Sequence, residues 1–206
     1  MLTRCVLRMG ALVALAVFIG FAPASPGAAA NPSFGPANGD LEQGDDVPTS
    51  WQAVNAEDGS GSWSWDAEHV HGGKRAYRIR KENAQGYSQL ISDPVPLTVG
   101  VEYEVTGWIR MNRRSSAGIY FMVSQYRSDS DAMQLPNAFG DSGALHPASG
   151  EWEQIRCRFQ VREGNTLVRI HALIAFAPGD ITWDDIVVGP VAAGPEPRYE
   201  APQAEV

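Results

Sequence analysis

Apolar and polar side chains alternate along the stretch Tyr103-Glu-Val-Thr-Gly-Trp-Ile-Arg-Met111. The alternation places Tyr103, Val105, Ile109 and Met111 on one side of an extended segment, because successive side chains of a β-strand point to opposite faces of its sheet. The residues between them point the other way. The stretch therefore predicts a β-strand with one face in a core and the other face turned away from it.

The same period of two recurs along most of the chain. It predicts long strands at residues 118–126, 152–161, 167–176 and 181–188, and shorter ones at 51–54, 63–65, 76–80, 87–91 and 95–99. In the strand at 167–176 it places Phe176 on the same face as Ile174. Beyond residue 30 no 12-residue window has the 3.6-residue period of a helix, and Gly, Pro, Asn and Asp clusters separate the strands. The pattern predicts an all-β fold, an antiparallel β-sandwich of the jelly-roll type.

The first 30 residues have the pattern of a secretory signal peptide. Arg4 and Arg8 precede an apolar run at residues 11–22, and a small-residue segment ends in Ala28-Ala29-Ala30. The apolar run is shorter than the roughly 20 residues that span a bilayer. We therefore predict that residues 1–30 are cleaved and that the protein is secreted or periplasmic, with no membrane contact after cleavage.

The rest of the sequence divides into three parts and is acidic. A short leader at residues 31–36 precedes a domain at 37–189, and the Pro-rich segment 190–206 has the composition of a disordered tail. The chain has 24 acidic and 16 basic residues, a formal net charge of −8, and loss of Arg4 and Arg8 with the signal peptide makes it −10. This charge argues against nucleic acid or an anionic membrane as a partner held by bulk charge.

Sequence signatures of catalysis are absent. There is no G-x-S-x-G, H-E-x-x-H, P-loop or C-x-x-C motif. Acidic pairs such as Asp45-Asp46 and Asp184-Asp185 are adjacent in sequence, whereas a glycosidase brings two carboxylates together from separate elements. Cys157 is the only thiol once Cys5 leaves with the signal peptide, so no internal disulfide is possible. The sequence therefore favours a protein that is not an enzyme.

Several segments, in order, resemble those of a known family. They are Asn38-Gly-Asp-Leu-Glu42 with Trp51 after it, His71-Gly-Gly-Lys-Arg-Ala-Tyr-Arg-Ile79, Gly100-Val-Glu-Tyr-Glu-Val-Thr-Gly-Trp-Ile-Arg110, Trp152, and Trp183-Asp-Asp-Ile-Val-Val188. Together they resemble the carbohydrate-binding modules of the family 4, 9 and 22 type, which are galactose-binding-like jelly rolls. The resemblance covers about residues 37–189. It implies a polysaccharide or another glycan as the ligand and a separate glycoside hydrolase as a candidate partner.

The resemblance also implies a structural calcium ion. Members of this group commonly hold calcium where the first strand, the H-x-G-K turn and the last strand meet. By position, the candidates here are Glu42, the backbone carbonyl around Lys74, and Asp184 or Asp185. Ca²⁺ takes six to eight oxygen ligands, mixing carboxylates with backbone carbonyls, which suits this set. The alternative is that these acids only cap strand ends.

A sugar-binding face is predicted from the outward residues of three strands. Sugar rings stack on aromatic side chains, and their hydroxyl groups need polar partners. If the three strands share one concave sheet, as in the modules that the chain resembles, five residues form an open platform: Trp108, Arg110, Tyr120, Tyr126 and His171. The three aromatic residues among them would stack on sugar rings, and Arg110 and His171 would hydrogen-bond to hydroxyl groups.

We therefore predict a secreted, non-catalytic carbohydrate-binding module. Two alternatives stay open: a structural or adhesion domain of the same fold without a sugar site, and a glycosidase or lyase built on a jelly roll. The binding module needs exposed aromatic side chains on one sheet face. The enzyme needs two acids from different strands about 5 to 10 Å apart in a cleft.

Overall fold

The computed structural model describes residues 35–113, 118–140 and 149–191. In this part of the chain it shows an antiparallel β-sandwich of the jelly-roll type, which confirms the predicted fold class. The strands are β1 (Trp51–Ala56), β2 (Gly61–Asp66), β3 (Ala76–Lys81), β4 (Tyr87–Ser92), β5 (Val95–Pro96), β6 (Glu102–Arg113), β7 (Ile119–Tyr126), β8 (Gln134–Phe139), β9 (Trp152–Gln160), β10 (Leu167–Ala175) and β11 (Gly179–Pro190).

The described strands form two sheets. The six-stranded sheet has the order β1-β4-β10-β7-β8, with β5 pairing to β10, and the five-stranded sheet has the order β2-β3-β11-β6-β9. Neighbouring strands are antiparallel throughout. The consecutive strands β6 and β7 therefore belong to different sheets.

The core lies between the two sheets and is built from the inward residues of each alternating strand. Trp183, Tyr77 and Tyr103 of the five-stranded sheet are almost fully buried, as are Phe121 and Ile170 of the six-stranded sheet. The rings of Phe121 and Trp183 meet across the two sheets, with centroids 5.3 Å apart. Each such side chain contributes about 1.5–3 kcal/mol by leaving water, so the alternation that predicts the strands also accounts for how they pack.

Most predicted strands are confirmed, one is shorter than predicted, and one observed strand was not predicted. The strand β8 was not predicted, because Gln134–Phe139 lacks a period of two and contains Pro136. Among the described strands it pairs only with β7, at the edge of its sheet, where a proline is tolerated. The strand predicted at 95–99 is only the two residues Val95–Pro96.

The predictions for the two ends of the chain fall mainly outside the described residues. The signal peptide at 1–30, most of the leader and residues 192–206 are not among them. Strand β11 continues to Pro190, and the N–H of Val191 still donates to the carbonyl of Glu102 at 2.9 Å. Within the described ranges there is no helix of the length and apolar character needed to cross a membrane.

A bulge in β11 places two acidic residues outside the core. The register with β6 shifts between Asp184 and Val187, and Asp185 has a φ of 47°. Because of the extra residue, Trp183 and Ile186 both point into the core while Asp184 lies on the outer side. The bulge thus brings Asp184 and Asp185 to the turn that leads into β3.

Candidate functional site

The predicted sugar-binding platform is split between two sheets. Trp108 and Arg110 lie on β6 of the five-stranded sheet, whereas Tyr120, Tyr126 and His171 lie on β7 and β10 of the six-stranded sheet. The two groups therefore occupy opposite outer faces of the sandwich. The prediction of one shared face was wrong because alternation shows which side of a strand is polar but not which sheet the strand joins.

On the five-stranded sheet, the side chain of His71 covers Trp108, and Arg110 is hydrogen-bonded within the protein. The imidazole of His71 stacks on the indole of Trp108, with centroids 4.0 Å apart and planes 16° apart, and Trp152 meets His71 edge-on at 5.6 Å. The Nε of Arg110 donates to the carbonyl of Gly150 at 2.7 Å. The open stacking surface predicted at Trp108 is therefore occupied by a side chain of the protein itself.

On the six-stranded sheet, His171 is 5% exposed and uses both ring nitrogens inside the protein. Its Nδ1 lies 2.9 Å from Oε1 of Gln89 and its Nε2 lies 2.7 Å from Oγ of Ser124. With a carbonyl oxygen as its partner, Nδ1 carries the proton and Nε2 accepts from the hydroxyl group. Burial, with a smaller effect of Arg169, lowers the pKa of His171 to about 4. His171 thus positions Gln89 and Ser124, and the role predicted for it as a direct partner of sugar hydroxyls does not fit this burial.

Tyr126 lies at the polar end of this face. The guanidinium carbon of Arg169 lies 5.8 Å from the centre of its ring, and its hydroxyl group lies 3.1 Å from Oγ of Ser124. Nη2 of Arg169 donates to Oδ1 of Asp129 at 2.7 Å, and Asp129 is largely exposed. Because Ser124 is fully buried, the polar groups that a ligand can reach here belong to Tyr126, Arg169 and Asp129.

Beside this polar end, a cavity of about 200 Å³ opens on the same face. Its walls combine aromatic and aliphatic side chains with two amides: Tyr87, Gln89, Tyr120, Met122, Met133, Asn137, Phe139, Leu173 and Phe176. Of the predicted platform, only Tyr120 belongs to this set. Among these nine residues there is no carboxylate, so the pair of acids that the glycosidase alternative needs does not line this cavity.

Two aromatic pairs form opposite walls of the cavity. Tyr120 and Phe139 meet edge to face with centroids 6.0 Å apart, and Tyr87 and Phe176 do so at 6.3 Å. Phe139 is 53% exposed and Phe176 is 60% exposed, which is unusual for phenylalanine. Exposed aromatic rings on one face of a sheet are the feature expected of a surface that stacks on a ligand.

Phe176 reaches the cavity through a strained backbone. Strand β10 ends at Ala175, and Phe176 has a φ of 48°, which is costly for a bulky side chain. The N–H of Phe176 donates to the carbonyl of Gly86 at 2.8 Å. The buried Nζ of Lys81 lies 3.5 Å from the carbonyl oxygen of Ala177, the residue that follows. The predicted inward position of Phe176 was wrong because the left-handed turn reverses the alternation.

The sequence analysis did not predict Tyr87, Phe139 or Phe176 as site residues. For Tyr87, the pattern of its strand could have indicated an outward position. In β4 the buried residues Ser88 and Leu90 alternate with Tyr87, so the short strand could have been assigned an outward tyrosine. Phe139 lies on the strand that was not predicted. The position of Phe176 depends on a backbone turn that has no glycine to mark it.

The residues predicted to hold calcium do come together around the turn His71–Lys74. Oε1 of Glu42 accepts hydrogen bonds from the backbone N–H groups of Lys74 at 2.7 Å and Arg75 at 3.2 Å. Gly73 has a φ of 64°, and a Cβ atom there would overlap Oε1 of Glu42. Only glycine allows this close approach between the turn and the carboxylate.

The same turn covers the two aspartates. Oδ2 of Asp184 accepts from the backbone N–H groups of His71 at 2.8 Å and Gly72 at 3.1 Å, and Nδ1 of His71 lies 2.6 Å from Oδ2 of Asp185. Burial raises the pKa of Asp184 to about 6, and the neighbouring charge of Asp185 adds to this, although the backbone donors oppose it. Asp184 is therefore a buried acid held by a loop rather than a residue at an open site.

The hydrogen-bond donors around Glu42 and Asp184 limit the number of oxygen atoms that could bind calcium. The guanidinium of Arg75 donates to the backbone carbonyl of Glu42 at 2.8 and 3.0 Å and to that of Gly44 at 2.9 Å. Within the described ranges, no three His, Cys, Asp or Glu side chains are close enough together to hold a metal ion. A calcium ion here would need backbone carbonyl oxygens for most of its ligands.

Comparison with solved structures places this architecture among known ones. The Clostridium thermocellum xylanase 10B, as its CBM22-1 and GH10 modules with xylohexaose, aligns with a TM-score of 0.50 and 17% identity over 70% of this chain and 27% of that chain. The Clostridium thermocellum family 11 carbohydrate-binding module with a β-1,3-1,4-mixed-linked tetrasaccharide aligns at 0.51 and 12% over 72% of this chain and 91% of that chain. A Fischerella sp. TAU cyclase in complex with 4-(1H-indol-3-yl)butan-2-one aligns at 0.52 and 12% over 79% and 99%.

No protein-family model matches the chain, and no curated protein matches it either. The identities to the solved structures are low, and this chain spans about a quarter of the xylanase chain. The likeness is therefore one of fold: the chain has the jelly-roll β-sandwich of the family 22 and family 11 carbohydrate-binding modules.

Proposed function

We propose that this protein is a secreted or periplasmic, non-catalytic carbohydrate-binding protein. Its binding site is the outer face of the six-stranded sheet, where a polysaccharide contacts the aromatic cavity and the polar end beside it. The observation that carries the proposal is the pair of exposed phenylalanines, Phe139 and Phe176, each packed edge to face against a tyrosine. Rings held in this way are pre-ordered to stack on sugars, which lowers the entropy lost on binding.

The comparisons support this proposal at the level of fold. The family 22 and family 11 neighbours are described with xylohexaose and a mixed-linked glucan tetrasaccharide. We propose a neutral polysaccharide of this kind as the ligand, because the nine residues that line the cavity carry no charged group at neutral pH. A separate glycoside hydrolase is proposed as a functional partner, since one neighbour joins such a module to a GH10 module in a xylanase.

Affinity electrophoresis tests the proposal. The chain is run in gels that contain xylan or mixed-linkage β-glucan, beside Phe139→Ala and Trp108→Ala. We expect one of these polymers to retard the protein, Phe139→Ala to lose the retardation, and Trp108→Ala to keep it. Trp108→Ala is the matched control, because it also removes an aromatic ring but from the opposite outer face. Loss of retardation in Trp108→Ala alone would contradict the proposed site, and no retardation by any glycan would favour a structural or adhesion domain.

Calcium is a separate proposal for the turn His71–Lys74. It is supported by the convergence of Glu42 and Asp184 on that turn and by the close approach that Gly73 allows. We expect Ca²⁺ to raise the unfolding temperature relative to a chelator, and to do so more at pH 7.5 than at pH 5. The reason is that protonation of Asp184, whose pKa is about 6, removes a negative ligand. Glu42→Gln should reduce the rise, and an unfolding temperature unaffected by Ca²⁺ at both pH values would exclude the ion.

A further inference from the structure

The outer face of the six-stranded sheet has two halves of different chemistry. One half is the polar end, where Tyr126, Arg169 and Asp129 are accessible. The other half is the cavity, whose floor is Leu173 between Tyr120 on β7 and Gln89 on β4. A ligand that uses the whole face must therefore have a polar part and an apolar part.

The cavity fits an aromatic ring better than a sugar ring. Seven of the nine described lining residues are aromatic or aliphatic, and the hydrogen-bonding groups of the nine are the amides of Gln89 and Asn137 and the hydroxyl groups of Tyr87 and Tyr120. A pyranose carries several hydroxyl groups, and each one buried without a partner costs free energy. A cavity of about 200 Å³ with apolar walls is large enough for a benzene-sized ring, since cavities of about 150 Å³ bind benzene.

The amide groups of Asn137 and Gln89 indicate which polar substituents the aromatic ring of the ligand bears. Oδ1 of Asn137 is buried and has no hydrogen-bond partner, while its Nδ2 lies 3.4 Å from the sulfur of Met122. Gln89 uses its Oε1 for His171, which leaves its amide N–H groups for the cavity that it lines. The two amides thus offer one acceptor and one donor, beside the hydroxyl groups of Tyr87 and Tyr120, and this set suits a ring with a hydroxyl group and an adjacent acceptor oxygen.

The charge of the lining residues further restricts the class of ligand. The nine described lining residues contain no cation to pair with a carboxylate, so a free aromatic acid would lose its hydration without compensation. A neutral ester or ether of the same ring avoids this cost. Because the polar end continues from the cavity along the same strands, the group that bears the ester or ether can be a sugar.

We propose that the preferred ligand is a glycan that carries a neutral phenolic substituent, with the substituent ring in the cavity and the sugar over Tyr126, Arg169 and Asp129. This inference rests on the proposed function, since it specifies the glycan class that the same face binds. It assigns the interior of the cavity to the substituent, and the polar end together with the exposed rings of Phe139 and Phe176 to the carbohydrate.

Calorimetric titration with a matched pair of ligands tests the inference. The probes are a feruloylated arabinoxylan oligosaccharide, the same oligosaccharide after removal of the ester, and methyl ferulate. We expect the esterified form to bind about 10- to 100-fold more tightly than the de-esterified form, which is the gain expected from burying one ring. Leu173→Trp fills the cavity and should reduce the ratio to about one, whereas Thr106→Trp, on the outer face of the five-stranded sheet, should keep it.

The outcomes separate this inference from the proposed function. Equal affinity for the two oligosaccharides would overturn the inference and leave the proposed function intact. Failure of both to bind would overturn the proposed function, and binding of methyl ferulate alone would assign the cavity to a free aromatic molecule instead. If Leu173→Trp does not fold, Leu173→Phe replaces it, because it also reduces the volume of the cavity but adds fewer atoms.

Discussion

The imidazole of His71 lies nearly parallel to the indole of Trp108, with ring centroids 4.0 Å apart and 16° between the planes. The turn that carries His71 also closes over Asp184, the β11 residue that is paired with Trp108 in the sheet. One contact therefore fixes the loop onto the outer face of the five-stranded sheet. This relationship gives Trp108 a structural role, although its position on an outward face is typical of a binding residue.

The stacking of His71 on Trp108 should be measurable as a coupling energy. We expect Trp108→Ala to lower the free energy of unfolding by about 1–2 kcal/mol, and His71→Ala to lower it by less. The double variant should be more stable than the sum of the two losses predicts, by about 0.5–1.5 kcal/mol, because both single changes remove the same contact. Denaturant unfolding of the four proteins measures this coupling, and strict additivity would contradict the stacked arrangement.

Burial of His171 should make the protein less stable in mild acid. The pKa of His171 is about 4 in the folded state against 6.5 for an exposed histidine, so the unfolded state binds its proton first as the pH falls. Stability from this group is fully present above about pH 6.5 and is lost as the pH falls towards 4, by about 3 kcal/mol in all.

The matched variant for this effect is His171→Gln, which cannot titrate. Unfolding free energies of the two proteins should be compared from about pH 7.5 to about pH 4.5, so that other titrating groups, Asp184 among them, cancel in the difference. As the pH falls, the unfolding free energy of His171→Gln should decrease less than that of the natural protein. Parallel pH profiles would show that His171 is accessible to solvent and not buried between Gln89 and Ser124.

The left-handed backbone at Phe176 predicts an unusual order of stability between two variants. Phe176→Gly removes the ring and the strain together, whereas Phe176→Ala removes the ring but keeps a Cβ at a φ of 48°. We expect the glycine variant to be the more stable by about 1 kcal/mol, although glycine normally destabilises ordered backbone by a similar amount. Both variants should bind glycan more weakly than the natural protein. Greater stability of the alanine variant would contradict this backbone conformation.

The fold could be predicted from the sequence because the determining information is local. The alternation of Ile119, Phe121 and Val123 on β7 requires one buried face, and turn residues between such segments limit the chain to a sandwich. The candidate site could be predicted only at Tyr120, in the cavity, and at Tyr126, in the polar end beside it. The sheet that each strand joins depends on pairing between distant segments, which no local pattern encodes.

Two other features, the covering of Trp108 and the outward position of Phe176, could not be predicted from the sequence. A loop from elsewhere in the chain covers Trp108, so an outward position in a strand did not imply exposure. The turn at Phe176 reverses the side of a residue that the alternation assigned to the core. In both cases tertiary structure overrides a correct reading of the local period.

The methionine side chains provide the most direct test of where the glycan binds. Met122 and Met133 line the cavity, while Met111 lies in the core on β6 with 2% exposure. In a protein labelled with ¹³C at the methionine methyl groups, titration with xylohexaose or a mixed-linked glucan oligosaccharide should move the Met122 and Met133 resonances and leave that of Met111 unchanged. Binding of either oligosaccharide with no change at Met122 and Met133 would contradict a site on the outer face of the six-stranded sheet.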